Sequence, residues 1–130
     1  MKAKPTIGIT MGDPAGIGAQ IIAKALQNAT LTEHARFVIY GANELLTLET
    51  DKCNLQTRWD RVDATSTRAM KLIHSDIVVI DDSEEQLHLL RREPSKLGGL
   101  VSKRWVEAAI QDALRSEDEP RKIDAIVTAP

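Results

Sequence analysis

Ile7-Gly-Ile-Thr-Met-Gly-Asp-Pro-Ala-Gly-Ile-Gly18, running on into Ala19-Gln-Ile-Ile-Ala-Lys-Ala-Leu26, is the stretch that decides the fold. A short apolar run enters a loop that carries Gly12, Gly16 and Gly18, and the loop opens into an amphipathic helix. Strand, glycine loop and helix in that order bring backbone N–H groups and a positive helix end to the carboxyl edge of a sheet. That is where α/β proteins bind anionic ligands. The glycines are spaced by four and then two residues, whereas the dinucleotide fingerprint has two and then three. No Gly-Lys-Ser/Thr follows, so the loop is not a P-loop either. Glycine permits positive φ and close approach of a ligand, and a β-branched residue at Gly16 would clash with positive φ there. Gly12, Asp13, Gly16 and Gly18 are therefore the candidate cofactor-binding residues. Asp13 suits a ligand hydroxyl, a metal-bound water or the loop itself. The alternative is a tight strand-to-helix turn in which Gly18 allows close packing.

Outward from this stretch, strands alternate with helices. Residues 6–11, 36–40, 76–81 and 123–128 read as buried-type strands, with a weaker candidate at 54–62. Helices are expected at 16–28, 42–51, 84–92 and 102–114, with Ser83 as the cap and Gln86 at the capping-box position of the third. Residues 93–99 read as a loop and 116–122 as a solvated connector. The alternation predicts a three-layer α/β/α arrangement with a mainly parallel sheet covered on both faces.

A length of 130 residues suffices for one hydrophobic core. Aromatics are scarce, so Ile, Leu, Val and Ala must fill it. The net charge of −2 is spread without a basic stripe, which argues against nucleic acid as a partner. Cys53 is the only cysteine and cannot form an internal disulfide, as suits a reducing compartment. No signal-peptide core and no run of ~20 apolar residues is present. A soluble cytoplasmic protein with no membrane partner is expected.

Other chemistry-bearing residues have plain alternatives. Asp81-Asp82 could share a metal or a proton, but a helix cap by Asp82 or Ser83 is the favoured reading. His34, His74 and His88 have no metal-ligand spacing and read as surface or helix-end residues. Cys53 lies in a polar stretch without a nearby histidine, and Trp105 falls on the apolar face of its helix. Thr128, at a strand's carboxyl end, could bind phosphate or simply end the strand.

The run Ile9-Thr-Met-Gly-Asp-Pro-Ala-Gly-Ile-Gly18 closely resembles the N-terminal signature of the 4-hydroxythreonine-4-phosphate dehydrogenase family. Leu97-Gly-Gly-Leu-Val-Ser102 looks like that family's Gly-x-Val-Ser helix start, and Asp124-Ala-Ile-Val-Thr-Ala-Pro130 looks like its Asp-Ala-(apolar)2-Thr-Ala-Pro segment. One departure is Ala19-Gln20, where the family has Pro-Glu, so the acidic side chain at the helix start is missing. The resemblance implies an isocitrate/isopropylmalate dehydrogenase-like fold, with residues 1–130 as the N-terminal part of a two-domain enzyme that is incomplete here. It implies NAD-dependent oxidation and decarboxylation of 4-phosphohydroxy-L-threonine to 3-amino-2-oxopropyl phosphate, in pyridoxal phosphate (vitamin B6) biosynthesis. A divalent metal, zinc or magnesium, would polarise the nascent carbonyl. Its histidine ligands, a His-Thr pair and a lysine all fall beyond Pro130 in the family. No catalytic or metal-binding residue is therefore assigned within the chain, and the chain alone is expected to be inactive. A homodimer is implied. The alternatives are a sister activity on a four-carbon sugar-acid phosphate, erythronate or threonate 4-phosphate, and a degenerate, non-catalytic α/β module.

Overall fold

The computed structural model describes residues 3–56, 58–66, 75–81 and 92–130. In chain order these form β1 (Thr6–Thr10), α1 (Gly18–Ala25), α2 (Ala29–His34), β2 (Arg36–Tyr40) and α3 (Asn43–Lys52). There follow β3 (Asp60–Asp63), β4 (Ile77–Asp81), α4 (Lys96–Ala113) and β5 (Ala125–Thr128). The sheet order is β3-β4-β2-β1-β5, and every pairing is parallel. Parallel neighbours need crossovers, and these are right-handed. The steps from β1 to β2 and from β2 to β3 run one way, which puts α1 and α3 on one face, where they pack together. The return to β5 runs the other way and lays α4 on the opposite face, over β1, β2 and β5. The expected three-layer α/β/α arrangement is what forms. Among the described residues, no helix is long and apolar enough to cross a membrane.

Covering both faces explains the apolar strands. All five residues of β4 are buried, as are Phe37 to Tyr40 of β2. Leu45 and Leu46 of α3 seal one side, and Val101, Trp105 and Ala109 of α4 seal the other. Trp105 is 4% exposed, in line with its core reading.

Several boundaries differ from the sequence reading. The helix expected at 16–28 ends at Ala25, and α2 begins after Asn28, whose side chain accepts from the Thr30 N–H. The weak strand at 54–62 contracts to Asp60–Asp63. Helix α4 starts at Lys96 rather than 102, because Ser95 caps it: the Gly98 N–H donates to Ser95 Oγ at 3.0 Å. Leu97-Gly-Gly-Leu-Val-Ser102 therefore forms the first turns of the helix itself rather than leading into it. Arg92 has φ +58, the left-handed region. The expected helix over 84–92, with Ser83 and Gln86, otherwise lies outside the described residues, as do Asp82, His74 and His88.

The connector at 116–122 is less solvated than its composition suggests. Arg121 is buried, and its Nη2 lies 2.9 Å from Asp112 Oδ2. Tyr40 Oη donates to the same oxygen at 2.8 Å, and Arg115 Nε donates to Asp112 Oδ1 at 2.7 Å. Arg121 Nη1 donates to the Ala64 carbonyl at 2.7 Å. One buried carboxylate thus ties α4 to β2, to the connector and, through Arg121, to the segment after β3. Burial, and then the Asp112 charge, hold the Tyr40 phenol above its ordinary range.

β5 is an edge strand, yet it reads Ala-Ile-Val-Thr, and Val127 is 52% exposed. An apolar edge without a charged gatekeeper templates pairing with another chain. Concentration-dependent association is expected in light scattering, and Val127→Lys should shift it toward monomer. A wild-type chain that stays monomeric at all concentrations would count against an open edge.

Candidate functional site

Residues 11–17 leave β1 at the carboxyl edge of the sheet, between β2 on one side and β5 on the other. Successive crossovers diverge here, at the switch point where open α/β sheets bind ligands. The loop expected to face this edge does lie on it. Its one positive φ is at Gly12, +80°, and not at Gly16. The clash expected for a β-branched residue at Gly16 therefore has a different origin, simple crowding.

The glycines bring backbone onto backbone. A Cβ on Gly12 would stand 2.4 Å from the Ala129 carbonyl oxygen and 2.5 Å from that of Pro130. A Cβ on Gly18 would stand 2.0 Å from the Met11 carbonyl oxygen and 3.0 Å from that of Pro130. At Gly16 the nearest atoms are looser, at 3.2 and 3.3 Å. The Ala129 N–H donates to the Thr10 carbonyl at 2.9 Å and extends the β1–β5 ladder past Thr128. The first and last motifs of the chain, far apart in sequence, thus form one unit. Space beside the glycines is taken up by the chain itself. What remains to meet a ligand is the outer rim, and Asp13 is its charged member.

Asp13 is exposed, and its Oδ1 accepts from the Ala15 N–H at 2.9 Å while the Gly16 N–H donates to its carbonyl at 2.8 Å. A Cβ on Gly98 would stand 3.5 Å from Asp13 Oδ1, so the first turn of α4 lies against the loop. A carboxylate near helix N-termini is held favourably by their dipoles. Among the described residues no partner meets Asp13 Oδ2, which leaves it free to accept from a ligand hydroxyl. Thr10, the residue at the foot of the loop, is buried with its hydroxyl unpartnered.

Arg92 completes the surroundings. Its Nη2 donates to the Gly16 carbonyl at 2.5 Å, and its Nη1 donates to the buried Glu49 carboxylate of α3. The sequence reading placed Arg92 at a helix end. Its neighbours come from residues 16 and 49, so no local pattern could reveal the contact.

The other candidates stay apart. Asp81 lies at the expected carboxyl edge, two strands from β1 at the end of β4, but it is buried and paired with Arg61 at 2.5 Å. His34 Nδ1 lies 2.8 Å from the Thr30 carbonyl oxygen on the exposed end of α2. Cys53 is the C-cap of α3. Among the described residues no three His, Cys, Asp or Glu converge on a metal position. A cavity of about 220 Å³ lies between α4 and the sheet, lined by Tyr40, Trp105, Arg115 and Arg121 among others, and one of about 180 Å³ is bounded by Thr32 and Asp76. No residue of the loop lines either one.

No protein-family model matches the chain. Over an alignment of 133 positions that covers all of this chain, it is 33% identical to a protein of Oceanobacillus iheyensis provisionally named D-threonate 4-phosphate dehydrogenase, and it covers 37% of that protein. Over an alignment of 132 positions it is 30% identical to a 4-hydroxythreonine-4-phosphate dehydrogenase of a Synechococcus strain, covering 97% of this chain and 32% of the relative. The crystal structure of a 4-hydroxythreonine-4-phosphate dehydrogenase from Burkholderia phymatum superposes with a TM-score of 0.72 at 26% identity, over 99% of this chain and 37% of that one. The chain spans about a third of the length of the curated relatives it matches.

Proposed function

We infer, for a chain related along its whole length to the 4-hydroxythreonine-4-phosphate and threonate 4-phosphate dehydrogenases, that it is the N-terminal part of such an enzyme. The reaction is NAD-dependent oxidation and decarboxylation of 4-phosphohydroxy-L-threonine to 3-amino-2-oxopropyl phosphate, by a cytoplasmic homodimer in vitamin B6 synthesis. The observation that carries the reading is the joining of the two motifs. The loop from Gly12 to Gly18 closes on Ala129 and Pro130 at the switch point of a parallel sheet, with Asp13 on its rim. Among the described residues no three His, Cys, Asp or Glu converge on a metal position, and the family resemblance, in which the histidine ligands fall beyond Pro130, supports a metal held by ligands outside this chain. The contribution of this chain is to seat the loop and to offer the Asp13 carboxylate to a ligand hydroxyl.

A second substrate has a specific observation behind it. Relatives named for threonate 4-phosphate and for 4-hydroxythreonine 4-phosphate match at 33% and 30% identity. Both substrates are four-carbon hydroxy acids phosphorylated at the far end, and kcat/KM on each decides between them.

The test is NADH formation. The 130-residue chain alone should give none with either substrate, NAD and Zn²⁺ or Mg²⁺. Within a protein of the relatives' full length, turnover is expected. There Asp13→Ala should lower kcat/KM by about 10- to 100-fold, the worth of a charge-assisted hydrogen bond of about 1.5–3 kcal/mol. The melting temperature should move little, since Asp13 is exposed. If kinetics stay unchanged while melting falls by several degrees, the loop is a structural turn and the assignment of Asp13 fails.

A further inference from the structure

Arg92 adopts φ +58, a left-handed conformation that residues with a Cβ disfavour. Such conformations persist only where the surroundings over-determine them. Among the described residues, its surroundings include two contacts of its guanidinium, which is inserted deeply enough that Nε is buried without a partner there. Nη1 donates to Glu49, whose side chain is 8% exposed, and Nη2 donates to the Gly16 carbonyl at 2.5 Å. Lys52 lies 3.6 Å from Glu49 but is itself exposed, so Arg92 is the closer countercharge of that carboxylate. Glu49 sits on α3, an element packed against α1.

The contacts form a continuous line. Glu49 fixes Arg92, Arg92 fixes the Gly16 carbonyl, and the Gly16 N–H donates to the Asp13 carbonyl at 2.8 Å. Both peptide groups that flank Gly16 are therefore tied, one to Arg92 and one to Asp13. A peptide group is planar and trans, so fixing its carbonyl fixes the direction of the whole unit. Gly16 needs such a restraint, since glycine has the widest choice of φ and ψ and its own neighbours leave it the most room of the loop's three glycines.

We propose that Arg92 and Glu49 are positioning residues for the glycine loop: Glu49 on α3 holds Arg92, and Arg92 locks Gly16 and through it the direction in which Asp13 is presented at the sheet edge. The use made of Asp13 rests on the dehydrogenase reading above, but the locking itself does not.

Hydrogen exchange of the 130-residue chain, followed by mass spectrometry, tests it without substrate. Arg92→Gly removes the guanidinium and suits the backbone better, whereas Glu49→Gln keeps Arg92 and removes its countercharge. Each should speed exchange in peptides covering residues 12–18 by about tenfold or more, with β2 and β4 changed by less than about threefold. The double variant should exchange no faster than Arg92→Gly, because both act through one link. Added guanidinium ion at low concentration should restore protection to Arg92→Gly. If Arg92 only shapes its own turn, Arg92→Gly leaves loop exchange unchanged or slower, and the proposal is overturned. Loss of protection everywhere in both variants would overturn it too, by showing a general structural role. Loosening of the loop in a protein whose full-length form lacks dehydrogenase activity would leave the lock standing and sink the functional reading alone.

Discussion

Asp112→Ala is expected to destabilise the fold by about 3–5 kcal/mol, the usual cost of leaving a buried ionic partner alone. Asp112 is 1% exposed and accepts from Tyr40 Oη, Arg115 Nε and Arg121 Nε. Alanine would leave the Arg121 guanidinium, whose side chain is 10% exposed, without a carboxylate. It would also orphan the Tyr40 hydroxyl in the core. Tyr40→Phe removes one hydrogen bond and should cost only about 1 kcal/mol. Asp112→Asn keeps an acceptor but not the charge, so it should fall between the two. Urea unfolding with a shared slope gives all three numbers. A loss below about 1 kcal/mol for Asp112→Ala would mean that water replaces the carboxylate. The network would then not hold α4 to the sheet.

Gly18→Ala should cost about 3 kcal/mol, the upper end of what overpacking usually costs. The new methyl would stand 2.0 Å from the Met11 carbonyl oxygen. Backbone on both sides resists, since Met11 is held through its N–H to the Tyr40 carbonyl at 3.0 Å and Gly18 opens α1. Gly99→Ala is the control of opposite sign. Nothing lies within 4 Å of its Cβ position and it sits inside α4, so alanine should stabilise by up to about 1 kcal/mol. Gly16→Ala should cost less than Gly18→Ala, because its contacts at 3.2 and 3.3 Å need shifts of only a few tenths of an ångström. Equal losses at Gly16, Gly18 and Gly99 would contradict the close packing of the loop.

Much of this protein is legible locally. β2 and β4 announce themselves as β-branched, apolar runs, and the loop before α1 is visible from its glycines. Capping was legible only in part. Asn28 and Ser95 both cap helices, but Gly98 and Gly99 after Ser95 read as a loop, because glycine is a poor helix former. The cap and the contact of Gly98 with Asp13 override that preference. Asp112 on a helix and Arg121 in a polar connector look like ordinary surface charges, and nothing local brings them to Tyr40.

The sequence by itself determined most of the described elements, though not α2, together with the parallel α/β class and the presence of a glycine loop that opens a helix. These follow from side-chain periodicity and from backbone freedom, which act over a few residues. Only the tertiary structure decided what the glycines are for. Two of them admit the carbonyls of Ala129 and Pro130, from the other end of the chain. It also decided which charges are buried and paired, Arg92 with Glu49 and Arg121 with Asp112. An ion pair across 43 residues, or a backbone contact across more than a hundred, depends on how crossovers fold back over the sheet. That handedness and order are properties of the assembled chain, and no window of sequence contains them.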